Sequence, residues 1–150
     1  SKFLYRVKFH SRTRMILTNI FSRINFNFRL FKHCKEISAL YKKNSLRYCL
    51  EMLSKDKYTD GLNIPKEISA TYLSKRINLI NKFLGADNCL ANSMCLFLAI
   101  KNRKNVSLII GVSDNFKESS FSHCWVEIEN VAVNEERRIM HYKSVISIHK

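Results

Sequence analysis

The chain lacks any apolar run long enough, and free enough of charge, to enter a membrane. Arg6, Lys8, His10, Arg12 and Arg14 interrupt each hydrophobic stretch near the N-terminus. That pattern excludes a signal-peptide core and a spanning helix, and predicts a soluble or peripherally bound protein. Closely paired cysteines are also missing. The five present, Cys34, Cys49, Cys89, Cys95 and Cys124, are odd in number and scattered, which argues against a disulfide framework and for a reducing, cytoplasmic setting. Acid is scarce, with 12 Asp and Glu against 26 Lys and Arg and a formal charge of +14. Such a field attracts anionic partners without naming them, and all binding of that kind weakens with salt. There is no internal repeat, no low-complexity segment, and no helix-turn-helix, zinc-finger or RNA-binding aromatic signature. Charge alone is then the argument for nucleic acid, and no nucleic-acid partner is expected.

What is present fits one hydrophobic core, since 150 residues at 46% apolar composition do not comfortably divide into two. A single domain over 1–150 is expected, with a mainly helical part over 1–85 and a helix followed by strands over 86–150. From Arg12 to Phe31 the residues Ile16, Leu17, Ile20, Phe21, Ile24, Phe28 and Phe31 recur at helical spacing, with arginines between them. Further helices are predicted over Leu46–Leu53 and Ser69–Leu84, the latter stopped by Gly85. Ala86-Asp87-Asn88 supplies capping side chains ahead of Cys89, and Leu90 to Ile100 is a dense apolar helix. Short β-rich runs follow at Val106–Val112, Phe121–Ile128, Val131–Glu135 and Tyr142–Ile148. Helices followed by antiparallel strands make an α+β fold.

Three residues in this frame carry chemistry. A cysteine in the first turn of a helix faces unpaired backbone N–H groups and the positive end of the helix dipole, both favourable to a thiolate, so Cys89 is the candidate nucleophile. His123 lies in the strand Ser122-His123-Cys124-Trp125-Val126-Glu127, where His123, Trp125 and Glu127 share one face and Cys124, Val126 and Ile128 the other. With Glu129-Asn130 at a hairpin tip, position 123 falls within about one residue of position 135, which makes Glu135, or by register Glu136, the group that orients the imidazole. His123 then takes the proton of Cys89, the thiolate attacks an amide carbonyl, and water resolves the thioester.

The residue types of Cys89, Cys95, His123 and Cys124 suit zinc, but six helical residues turn Cys95 about 120° from Cys89, and strand alternation separates His123 from Cys124. No metal site is expected, and Cys34, Cys49, Cys95 and Cys124 read as reduced packing residues.

The set Asn88-Cys89-Leu90, Leu108-Ile109-Ile110-Gly111-Val112 and Phe121-Ser122-His123-Cys124-Trp125-Val126-Glu127 resembles the leader-peptidase domain of the lasso-peptide maturation B proteins. These are members of the transglutaminase-like superfamily of papain-type cysteine enzymes. The motifs cover roughly Asp87 to Ile148. The resemblance implies a transglutaminase-like core, bacterial and cytoplasmic, that removes the leader from a ribosomally made precursor. Cys89 would be its nucleophile, His123 its base and Glu135 its third residue, where the family usually carries Asp. It implies no cofactor bound by this chain. As partners it implies the precursor peptide, a precursor-recognition domain and an asparagine-synthetase-like cyclase that uses ATP. No winged-helix recognition domain is read in this sequence, which points to a separate recognition protein or to a domain outside it. Two other readings stand beside this one: a transglutaminase-like amidase or acyltransferase, in which an amine resolves the thioester, and a non-catalytic basic binding module.

Overall fold

The computed structural model describes residues 2–55, 62, 64–113, 122–134 and 139–149, with side chains from Thr18 onward. Four helices precede a sheet: α1 (Lys2–Lys43), α2 (Leu46–Ser54), α3 (Ala70–Phe83), α4 (Cys89–Ile100), then β1 (Val106–Ser113), β2 (Ser122–Ile128), β3 (Val131–Ala132) and β4 (Tyr142–His149). All strand pairings are antiparallel in the order β3-β2-β1-β4. This is the expected α+β architecture.

The helix boundaries follow from capping chemistry. Ser45, Ser69 and Asn88 sit in extended backbone, and each side chain accepts an N–H from the first turn, relieving donors that have no partner inside the helix. α3 ends in a Schellman turn, with Ala86 N–H donating to the Asn81 carbonyl and Gly85 N–H to that of Lys82. Gly85 occupies the left-handed position of that turn at φ +64°, a conformation glycine adopts without steric cost.

α4 is the core element, as its composition predicts. Met94, Cys95, Leu96 and Phe97 are fully buried, and the helix packs on β2 and β1 on one side and on α3 and α1 on the other. The sheet face turned to it carries Val106, Leu108, Cys124, Val126 and Ile148. α1 reaches well beyond the predicted Arg12–Phe31 span, and its buried face lies largely outside the apolar stripe noted in that span. Leu30, His33, Cys34 and Ile37 point inward, while Ile20, Phe21, Ile24 and Phe28 of the predicted stripe remain exposed. α3 meets α1 from Asn27 onward, where Arg76 Nη2 donates to Asn27 Oδ1 at 2.8 Å and Phe31 meets Phe83 with ring centroids 6.3 Å apart.

β4 contains the one irregularity that matters for the site. Its register with β1 slips between Ile110↔Ile146 and Gly111↔Ser144, leaving Val145 as an extra residue. A bulge of this kind reverses the in–out alternation of everything beyond it. Counting by twos from Ile148 and Ile146 predicts that Tyr142 faces the core. The bulge turns it to the opposite face instead.

Candidate active site

Asn88 opens the site. Its Oδ1 accepts the Ala91 N–H at 2.8 Å, which fixes Cys89 as the first residue of α4. Of the five free cysteines, Cys34, Cys49, Cys95 and Cys124 are buried and Cys89 alone is partly exposed. A nucleophile must be reachable, and only this thiol combines access with a helix N-terminus.

The direction of the chain then sets what lies near Cys89. α4 and β1 are joined through residues 101–105, so the start of the helix returns over the far end of the sheet, where β2 begins. Ser93 marks the crossing, because its Oγ donates to the Cys124 carbonyl at 2.9 Å. Cys89 lies one helical turn before Ser93, about 6 Å along the axis, and on the same helix face. His123 is one strand residue before Cys124, about 3.3 Å along β2. The start of α4 and the start of β2 therefore lie at the same end of their contact, with the His123 ring on the sheet face opposite α4. Burial, and to a lesser degree charge interaction with the Cys89 thiol, pushes the Cys124 pKa up to about 12, which puts Cys89 near the α4-facing side of β2.

His123 is held from the other face of the sheet. Its ring stacks on Trp125, with centroids 6.2 Å apart and planes 21° from parallel, and lies 5.3 Å from the ring of Tyr142. Trp125 is fixed in turn by its Nε1, which donates to Glu127 Oε1 at 2.8 Å. Gly111, opposite His123 in the β1–β2 register, makes room for this arrangement. A Cβ there would come within 2.8 Å of the Trp125 ring and 3.0 Å of the Tyr142 Cβ. The glycine in the Ile-Gly-Val strand is thus a steric requirement of the tryptophan.

The hairpin expected to deliver a carboxylate is present. Glu129 and Asn130 form its tip with φ of 53° and 65°, the signature of a two-residue turn with both central residues left-handed. Ile128 pairs with Val131 and Glu127 with Ala132, and Val133 N–H continues to the Val126 carbonyl at 3.0 Å. The predicted Val131–Glu135 strand is shorter than expected, because at Val126 N–H the Asn134 side chain replaces a ladder carbonyl, at 2.8 Å. Glu135 and Glu136 lie outside the described residues.

The four residues weighed as zinc ligands do not gather into one site. Cys95 turns toward Cys34 and His33 on α1, and burial raises its pKa well above the ordinary thiol value. His33 Nε2 contacts the Cys95 carbonyl at 2.9 Å. Among the described residues no group of three metal-ligating side chains converges, and no helix is long and apolar enough to cross a membrane.

Sequence reasoning missed three contributors. Tyr142 was hidden by the bulge. Asn134 falls inside the expected Val131–Glu135 strand, where nothing marks its side chain as a bonding partner. Ser93 left a usable signal, since with Asn92 it is the only polar pair in the apolar run of α4 and it lies four residues from Cys89.

No curated protein and no solved structure matches the chain. A family model described as the transglutaminase-like superfamily matches residues 36–147, a span that takes in α2, α3, the cysteine-bearing α4 and nearly all of the sheet. The superfamily's enzymes are typically cysteine-dependent, in keeping with a thiol that opens a helix packed on the histidine-bearing strand, and on that match this chain belongs to the transglutaminase-like superfamily.

Proposed function

We propose that this chain is a cysteine hydrolase that removes the leader peptide from a ribosomally made lasso-peptide precursor, acting with a recognition domain and an ATP-dependent cyclase. The observation that carries the catalytic part is the placement of Cys89. It is the one cysteine left accessible, it opens α4, and it lies one turn before Ser93, which bonds the strand that carries His123. The choice of a lasso precursor rests on the resemblance of the Asn88–Leu90, Leu108–Val112 and Phe121–Glu127 motifs.

In this reading His123 takes the Cys89 proton, and the sulfur adds to the scissile carbonyl. The tetrahedral intermediate collapses as the imidazolium returns that proton to the leaving amine. Water, deprotonated by His123, then releases the acid and restores the thiol. The Cys89 N–H serves as one donor to the oxyanion. Glu135 orients His123. The +14 charge suits an acidic leader or partner surface.

The test is selective labelling of Cys89 by a thiol-directed electrophile near neutral pH, mapped by mass spectrometry, followed by cleavage of a precursor peptide. Labelling is expected to be fast at Cys89 and to depend on His123. Cys89→Ala and His123→Ala should abolish cleavage, while Glu135→Ala keeps residual activity. Undiminished cleavage by Cys89→Ala would end the proposal. Conjugates formed with added amines in place of hydrolysed product would instead assign an acyltransferase.

A further inference from the structure

We propose that Asn134 is a positioning residue that locks the nucleophile helix onto the histidine strand; this deepens the cysteine-hydrolase reading and rests on it. Its amide bridges both elements. Oδ1 accepts the Val126 N–H at 2.8 Å, and Nδ2 donates to Ser93 Oγ at 3.0 Å. Ser93 passes the contact on, donating its own hydrogen to the Cys124 carbonyl at 2.9 Å. One side chain thereby joins β2, on the core side of His123, to α4 one turn after Cys89.

Chemistry explains why an asparagine suits this position. Val126 N–H needs an acceptor and Ser93 Oγ, already donating to a carbonyl, needs a donor. A primary amide offers both on one planar group. Aspartate would present only acceptors, and serine would not span the gap. Ser93 is fully buried, so losing its partner leaves a polar oxygen without water to replace it.

Both ends of the amide are engaged in this bridge, so Asn134 is not the group that orients the imidazole, even though an asparagine can fill that role in papain-type enzymes. Its effect is indirect. With the clamp in place, α4 cannot slide or roll along β2, and the start of the nucleophile helix is held in register with the strand that carries His123. Displacements on the order of 1 Å in such an arrangement cost up to about a hundredfold in rate.

The experiment compares the pH profile of Cys89 alkylation in wild type, His123→Ala, Asn134→Ala, Asn134→Asp and Ser93→Ala, with circular dichroism reporting the fold. Asn134→Ala and Ser93→Ala are expected to slow alkylation at neutral pH roughly tenfold to a hundredfold and to move the profile toward that of His123→Ala. The Asn134→Ala/Ser93→Ala double variant should be no slower than the worse single one, as two members of one network require. If Asn134→Ala does not fold, Asn134→Asp, which keeps the acceptor and loses the donor, carries the same expectation. A wild-type profile in folded Asn134 and Ser93 variants, with His123→Ala still impaired, overturns the positioning role and leaves the hydrolase standing. Identical profiles in wild type and His123→Ala would overturn both.

Discussion

Gly111 shows how a single missing carbon can decide a site. The Trp125 ring occupies the volume a side chain would need, and His123 rests on that ring. Gly111→Ala must therefore displace a buried aromatic or bend β1, and overpacking of this kind costs about 1–3 kcal/mol. We expect a matching fall in chemical-denaturation midpoint together with slowed, less His123-dependent alkylation of Cys89. A loss of stability with unaltered labelling would show that Trp125 does not hold the imidazole. The sequence displayed this glycine within a motif but not its purpose, because a contact between β1 and β2 is a matter of register. The places of Cys89 at a helix start and of His123 on a strand, by contrast, were legible: each is marked by its immediate neighbours, a capping asparagine in one case and an alternating strand in the other.

At the scale of elements, α4 concentrates structure and chemistry in one helix. Its N-cap, Asn88, both starts the helix and fixes where Cys89 stands. Asn88→Ala removes the acceptor for the Ala91 N–H and is expected to cost about 1 kcal/mol, with fraying of the first turn. Differential scanning calorimetry measures the first effect, and hydrogen exchange at Ala91 the second. No change in Ala91 protection would contradict the capping role. Helix limits were readable to within a residue or two for α2, α3 and α4, because serine, asparagine and glycine announce them locally. β4 was readable in extent and misleading in orientation. Its Val145 bulge shifts Tyr142 to the histidine face, and no local propensity marks which residue a ladder will leave out. β3 was overestimated for a related reason: the Asn134 side chain competes with the backbone for Val126 N–H. α1 was readable as a helix, but its exposed stripe and its buried face could not be ranked without knowing which helices lie beside it.

For the whole molecule, the thiols sealed in the core make stability depend on alkaline pH. Burial pushes Cys124 up to about 12 from an ordinary 9.0, and Cys95 is raised in the same direction by the same cause. A folded-state value above the unfolded one means that stability is fully present below pH 9 and is lost as pH climbs toward 12, because the unfolded chain releases these protons first. Urea midpoints should hold steady up to about pH 8 and fall beyond pH 9. Cys124→Ala should start lower, having lost packing, and decline less steeply. Parallel curves for the two proteins would rule out Cys124 as the source. The basic charge excess also relaxes over this range as lysines titrate, so the comparison between variants, and not the slope of either alone, identifies the thiol.

Trp125 is the chain's one tryptophan, and it lies against the imidazole of His123. Indole emission is quenched by a neighbouring protonated imidazole and much less by a neutral one. The protein therefore carries a built-in optical probe of its own candidate base: a change in His123 charge, or the arrival of a substrate beside it, should be visible in the intrinsic fluorescence without label, chromophore or substrate analogue.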